Sequence, residues 1–271
     1  MQSQGPPLGD AVRPAGSSRR SASARATGAG ASLRRGLAAG LLGGITSGLF
    51  LLVVGEPSID RAIQLEQAAA SGEHAAGEVF TRGEQHIGMV LASGLYGLAL
   101  GGGLGIVLFV MSRRMHGTAW ERSMRIALSG FAAFFLIPFL KYPANPPGVG
   151  DPDTIGIRTA AYLFLVAVSV AACFVGLAMS RRLAGRGVEA HHRHLIVGAC
   201  YLLVIGIAFA ALPPGAVPEG IPAGLIWEFR MASLGGQAVL WAYTGVILGL
   251  LTLRAERRAD RESLPVIEQE V

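Results

Sequence analysis

Lysine is almost missing from this chain: Lys141 is the only one among 23 basic residues, and the rest are arginines. Charge of any kind is scarce. Asp, Glu, Lys and Arg make up 15% of the sequence against 51% hydrophobic residues, where a soluble domain carries about 25% charge. Together with a mean hydropathy of +0.48, that shortage excludes a water-soluble core and implies a polytopic membrane protein. There are only two cysteines, Cys173 and Cys200, both inside apolar stretches. They fit neither a metal finger nor a secreted disulfide scaffold and read as small packing residues. No nucleotide-binding loop, Ser-His-Asp order or Cys-x-x-Cys occurs, and the glycines at 101–105 lie inside an apolar run, where they cannot cradle a phosphate. With no acid–base pair standing out, the chain reads as a non-enzyme that needs no cofactor.

Ionisable residues are absent from six apolar runs, 36–54, 87–111, 126–140, 159–180, 195–212 and 231–253. Spanning a bilayer takes roughly 17–25 apolar residues. Four runs satisfy this; 126–140 is short and interrupted by Pro138, and 195–212 is at the low end. The expected fold is all-α, an integral membrane protein with six transmembrane helices. Ion pumps and proton relays usually place charge within the membrane. Here a midplane ligand would have to come from Met89, Tyr96, Met179, Gln237 or Thr244, each of which also reads as packing.

The arginines alternate along the chain. Eighteen of the 23 basic residues lie before residue 36 or in the stretches 113–125, 181–193 and 254–261. The intervening loops hold only Arg61, Arg82, Lys141, Arg158 and Arg230. Positive-inside bias then puts both termini in the cytoplasm. The basic pI follows from this topology and from contact with the lipid bilayer; it is no sign of nucleic-acid binding. Residues 1–32, rich in Ser, Ala, Gly and Arg, read as a disordered cytoplasmic tail. They precede a membrane domain at 33–254 and a second tail at 255–271. The run 36–54 is too long for a signal-peptide core and is expected to remain as the first helix.

Gly36, Gly40, Gly44 and Gly48 repeat every four residues in the first run, as do Gly97, Gly101 and Gly105 in the second. Residues four apart share a helix face, and glycine lets backbones approach closely. These faces pack either on each other or on a partner helix. Glu56-Pro57 reads as a new helix start. Asp60, Gln64 and Gln67 then fall on one face and Ile59 and Ile63 on another, giving an amphipathic helix of about three turns. The segment 139–158 holds four of the 14 prolines, the lone lysine, Asp151 and Asp153. Proline fixes φ and glycine supplies positive φ, so this loop is expected to have one shape. A functional loop and a rigid turn that only positions two helices both fit. Pro146-Pro147-Gly148 before Arg158, and Pro213-Pro214-Gly215 before Arg230, hint at a repeat of the last four helices.

Three blocks carry a family resemblance: Gly55-Glu56-Pro57-Ser58-Ile59-Asp60-Arg61-Ala62-Ile63, the loop 139–158, and Trp227-Glu228-Phe229-Arg230-Met231-Ala232-Ser233-Leu234-Gly235. They resemble the CbtA family, membrane subunits assigned to cobalt uptake beside cobalamin synthesis. The resemblance runs from about Leu33 to Arg254. It implies transport of Co2+ across the bacterial cytoplasmic membrane with a small, one-helix, histidine-bearing CbtB-type partner. Self-association of this chain is left open, as are two rivals: a non-transporting scaffold, and transport of another divalent ion or a small cobalamin precursor.

Ten acids fall in the arginine-poor loops, with His74 and His86. Carboxylate and imidazole are suitable ligands for divalent cobalt, and an acidic mouth raises local cation concentration. Glu56, Asp60, Asp151 and Asp153 lie inside the resembling blocks and are the candidate metal ligands; ordinary surface acidity explains them equally well. Lys141, Asn145, Pro146, Pro147, Arg158, Glu228 and Arg230 are the accompanying loop residues, with Arg158 and Arg230 expected to pair with the acids and lock the loops. His191-His192-Arg193-His194 has metal-ligating residue types, but consecutive helical positions do not share a face, and the stretch reads as a solvated loop or helix start. The arginine pattern makes one test direct. A cysteine introduced near Gly148 should react with an impermeant thiol reagent in intact cells and one at Ser17 should not. Labelling of the Ser17 position from outside refutes the topology.

Overall fold

The computed structural model describes residues 28–69, 80–112, 114–146, 154–215 and 220–262. Every regular element among them is helical: α1 Ala29–Val54, α2 Glu56–Ala69, α3 Arg82–Ser112, α4 Ala119–Lys141, α5 Ile155–Gly185, α6 Ala190–Ala211 and α7 Ala223–Glu262. All but α2 are long and apolar enough to cross a membrane. Exposed Leu91, Leu95, Ile106, Leu163 and Leu202 form the kind of surface that a bilayer covers.

The two glycine faces meet. A Cβ on Gly40 would stand 2.7 Å from Gly101 Cα, one on Gly101 2.6 Å from Gly40 Cα, and one on Gly97 2.7 Å from Gly44 Cα. Real Cβ atoms do not approach backbone so closely, so α1 and α3 touch main chain to main chain. The seam begins one turn earlier than expected, because Ser32 is also small and is buried beside Gly105. For this reason α1 starts at Ala29, inside the stretch read as tail. At the other end α7 runs to Glu262, past the expected boundary at 254.

The adjoining face of α1 packs on α7. A Cβ on Gly43 would lie 2.9 Å from Leu240 O, and Ser47 Oγ donates to Gly236 O at 2.8 Å. On its far side α7 receives α4: Gly245 faces Ala127, Gly249 faces Trp120, and Gly130 faces the Trp241 ring. Ala39, Leu104, Leu108, Ile126, Leu240 and Leu248 close the core between these four helices.

Helix α4 corrects the expectation of a short third span. It begins seven residues before the apolar run, where a capping box links Thr118 and Glu121. Its first two turns carry Glu121, Arg122 and Arg125 yet bury Ala119 and Ser123, so charge hides them from a hydropathy reading. Pro138 is accommodated by a π-helical stretch, Phe131–Leu136, in which Ile137 N donates to Ala132 O, five residues back. Pro138 thus enters at the start of a new helical turn, Ile137–Lys141, where a missing N–H does least harm. The α5–α6 hairpin is more peripheral. Ser169 Oγ and Tyr201 Oη join its two helices at 2.7 Å, and α5 rests on the π-helical stretch and last turn of α4.

The seam yields a prediction. Gly40→Leu and Gly44→Leu should each destabilise by about 3 kcal/mol, the upper end of overpacking. Leu42→Ala, at a position 50% exposed, should stay within about 0.5 kcal/mol. Thermal unfolding and elution profile in detergent give the answer, and equal stability of all three variants rules the seam out as a structural contact.

Candidate functional site

Tertiary contacts gather the arginine-poor ends of the helices on one face. There α2 lies between the start of α3 and the start of α7. Its first turn is fixed by Ser58, whose buried Oγ donates to Gly55 O at 2.7 Å. Glu56 and Asp60, four apart, point to the same side and meet Arg82 and His86, also four apart, on α3. The Arg82 guanidinium is ion-paired to both carboxylates. His86 Nε2 lies 2.8 Å from Glu56 Oε1. The two acids differ in environment: the Glu56 side chain is 13% exposed and that of Asp60 49%. On the opposite side of α2, Arg61 pairs with Glu228 of α7, both about half exposed.

The loop after α4 is tied down from three directions. Lys141 Nζ donates to Phe209 O at 2.9 Å, putting the lone lysine at the C-terminal end of α6, where the helix dipole favours a cation. Tyr142 Oη donates to Pro213 O at 2.8 Å, so the two proline-containing loops of the suspected repeat touch each other. Burial pushes the Tyr142 phenol up. Arg230 Nη2 donates to Asn145 Oδ1 at 3.0 Å and its Nε to Ala144 O at 3.3 Å. These are the partners of Arg230 among the described residues, and the expected acids Asp151 and Asp153 lie outside them. Ala144 lies between prolines that supply no N–H, so its carbonyl draws a donor from α7 instead. Pro146 is buried beneath this arrangement. A cleft of about 360 Å³ lies under the loop, bordered by Tyr142, Pro143, Asn145, Arg158 and Tyr162 among others.

Glu56 and Asp60 are therefore brought together, Glu228 joins the other side of α2, and Lys141, Asn145, Pro146, Arg158 and Arg230 surround the loop. Pro147, Asp151 and Asp153 lie outside the described residues. Sequence reading missed Arg82 as the common partner of the two acids. Its four-residue spacing to His86 was the available signal.

Among the described residues, one three-donor group has ligand atoms within 4.8 Å of one another: Glu189, His191 and His192, all exposed, at the start of α6 on the opposite face. The helix start agrees with expectation. The convergence does not, because Glu189 precedes the first helical turn and its carboxylate reaches His191 at 3.3 Å and His192 at 3.9 Å. Of the midplane candidates, Thr244 is fully buried against Gly43.

A family model described as "Probable cobalt transporter subunit (CbtA)" matches residues 30–253. The chain belongs to the CbtA family. The match starts one residue into α1 and ends within α7, so it covers all six spans and both ion-paired sides of α2. No curated protein and no solved structure matches. This CbtA chain is accordingly a multi-pass membrane protein and a transporter subunit.

The two ion-paired sides of α2 should differ in weight. Arg82→Gln leaves the largely buried Glu56 with His86 alone and should cost about 2 kcal/mol, below the range for a fully buried pair because Asp60 is open to water. Arg61→Gln, facing an exposed partner, should cost less than about 1 kcal/mol. Melting temperatures in detergent compare them, and a larger loss from Arg61→Gln contradicts the assignment of Arg82 as the organising residue.

Proposed function

We propose that this chain is the large membrane subunit of a Co2+ uptake system linked to cobalamin synthesis. It acts in the bacterial cytoplasmic membrane with both termini inside and with a small, one-helix, histidine-bearing CbtB-type partner. The observation that carries the reading is the gathering of Glu56, Asp60 and His86 around Arg82, on a face whose loops carry ten acids against five bases.

A net negative face concentrates divalent cations before any specific contact. Carboxylate and imidazole together suit a borderline divalent metal. With no cation present, Arg82 holds the two carboxylates near each other without mutual repulsion. An arriving Co2+ exchanges with the guanidinium and leaves the acids compensated. Asp151 and Asp153 add two acids to the sequence of the loop whose anchors are Lys141, Tyr142, Asn145 and Arg230. No ionisable side chain waits in the apolar runs, so the path across draws its ligands from the partner's histidines and from backbone, hydroxyl or amide oxygens. The Glu189–His191–His192 group stands on the face where an imported ion emerges. Energy comes from an ion gradient, a separate partner or trapping of the metal in cobalamin.

One observation favours a scaffold instead: Glu56, Asp60 and Glu228 each have an arginine partner, and Arg230 and Lys141 hold loops. Uptake of radiolabelled Co2+, in cells making this chain with and without the small partner, separates the two. Uptake should require both. Asp151→Asn with Asp153→Asn should lower the initial rate about tenfold at unchanged protein level, the low end of electrostatic steering. Glu56→Gln with Asp60→Asn should do the same, and Glu66→Gln should not. Normal uptake in both double variants, with folding lost in Pro146→Ala with Pro147→Ala, establishes the scaffold.

A further inference from the structure

We infer that the cleft between α3, α4, α5 and the start of α6 binds an anionic phospholipid, its headgroup at a ring of arginines and an acyl chain along the floor. The cleft has a volume of about 710 Å³ and opens at the arginine-rich ends of the helices. It exists because α5 rests on the π-helical stretch and last turn of α4 while leaving a gap beside Ile126 and Gly130, nearer the start of α4. Leu104, Val107, Ala133, Val170 and Phe174 make the floor apolar. Arg114, Arg125, Arg181 and Arg193 stand at the mouth with His116 and His194, and among the described residues no acid lines it.

These arginines are poorly compensated. Arg181 Nη2 has the Met111 thioether sulfur as its partner, at 3.8 Å. Arg193 has a buried Nε with no hydrogen-bond partner and a long 3.4 Å contact from Nη1 to Val188 O. Arg114 makes no ion pair among the described residues. Arg125 alone has a carboxylate, Glu121 at 3.5 Å and half exposed. One turn from these, Arg122 has a carboxylate partner in Glu256 at 2.6 Å, although its own Nε is also buried without a partner. A buried guanidinium nitrogen without a partner is costly, and an incoming phosphate oxygen relieves it.

Four guanidinium groups repel a metal cation, so this cleft is no exit for one. A free inorganic anion satisfies the mouth but leaves the floor empty. A phospholipid satisfies both, and the mouth stands at headgroup level, where basic pockets between membrane helices take anionic headgroups.

Native mass spectrometry of the delipidated full chain in detergent tests this, with phosphatidylglycerol and phosphatidylcholine offered together. Phosphatidylglycerol should be retained roughly tenfold over phosphatidylcholine. Arg181→Gln with Arg193→Gln should abolish that preference, while Arg257→Gln with Arg258→Gln, exposed on the last turns of α7, should preserve it. Val170→Trp fills the floor without changing charge and should also reduce phosphatidylglycerol retention. It decides the matter alone if the arginine variant does not fold. Equal retention of the two lipids, full retention in Val170→Trp, or displacement by inorganic phosphate at equal concentration overturns the proposal; the last result marks a site for small anions only.

Discussion

The backbone contact between α1 and α3 is the constraint on which the other packing rests. Inside a bilayer, lipid tails are as apolar as leucine, so burying leucine gains little and association relies on close van der Waals contact. Glycine achieves this by leaving nothing between two main chains. Once α1 is held against α3 through Gly36, Gly40 and Gly44, its adjoining face is presented to α7 through Gly43 and Ser47. Helix α7 in turn offers Gly245 and Gly249 to α4. Small residues thus propagate contact from helix to helix, and large side chains such as Leu108, Leu240 and Leu248 fill what remains.

The bundle has two unlike faces. On one, short amphipathic α2 is held from both sides by arginines that reach carboxylates, and the proline-containing loop is held by donors from neighbouring helices. On the other, arginines outnumber the acids near them and several face an open cleft. Opposite charge character at the two ends is what a membrane imposes through insertion. Here each end also has its own structural use: compensated charge fixes loops on one face, and uncompensated charge borders a cavity on the other.

Legibility in the sequence followed the range of the interaction. The six spans were visible because composition alone decides them. The α1–α3 seam was visible because glycine repeats every four residues, a period that only a helix converts into a stripe. Its first member was overlooked because it is Ser32. The first two turns of α4 were hidden because their charges interrupt an apolar run, and the π-helical stretch has no composition of its own. At the candidate site the acids stood out, but Arg82 is 26 residues from Glu56 and 22 from Asp60, beyond any local pattern. The partner of Arg230 includes a main-chain carbonyl, which no side-chain reading can name. The large cleft arises from the divergence of α4 and α5, a purely tertiary property.

That divergence has a mechanical consequence. The α5–α6 hairpin is fastened to the remaining helices near one end, by the last turn of α4, Lys141 and Tyr142. At its other end it borders the cleft. The far end is not bare, since Arg181 Nη2 reaches the Met111 sulfur across the cleft at 3.8 Å, but the larger share of the attachment lies beside the proline-containing loops. Helix α5, about 46 Å long for 31 helical residues, carries this uneven attachment from one face of the protein to the other. It joins the two faces through packing alone, with no charged residue in the apolar run between them.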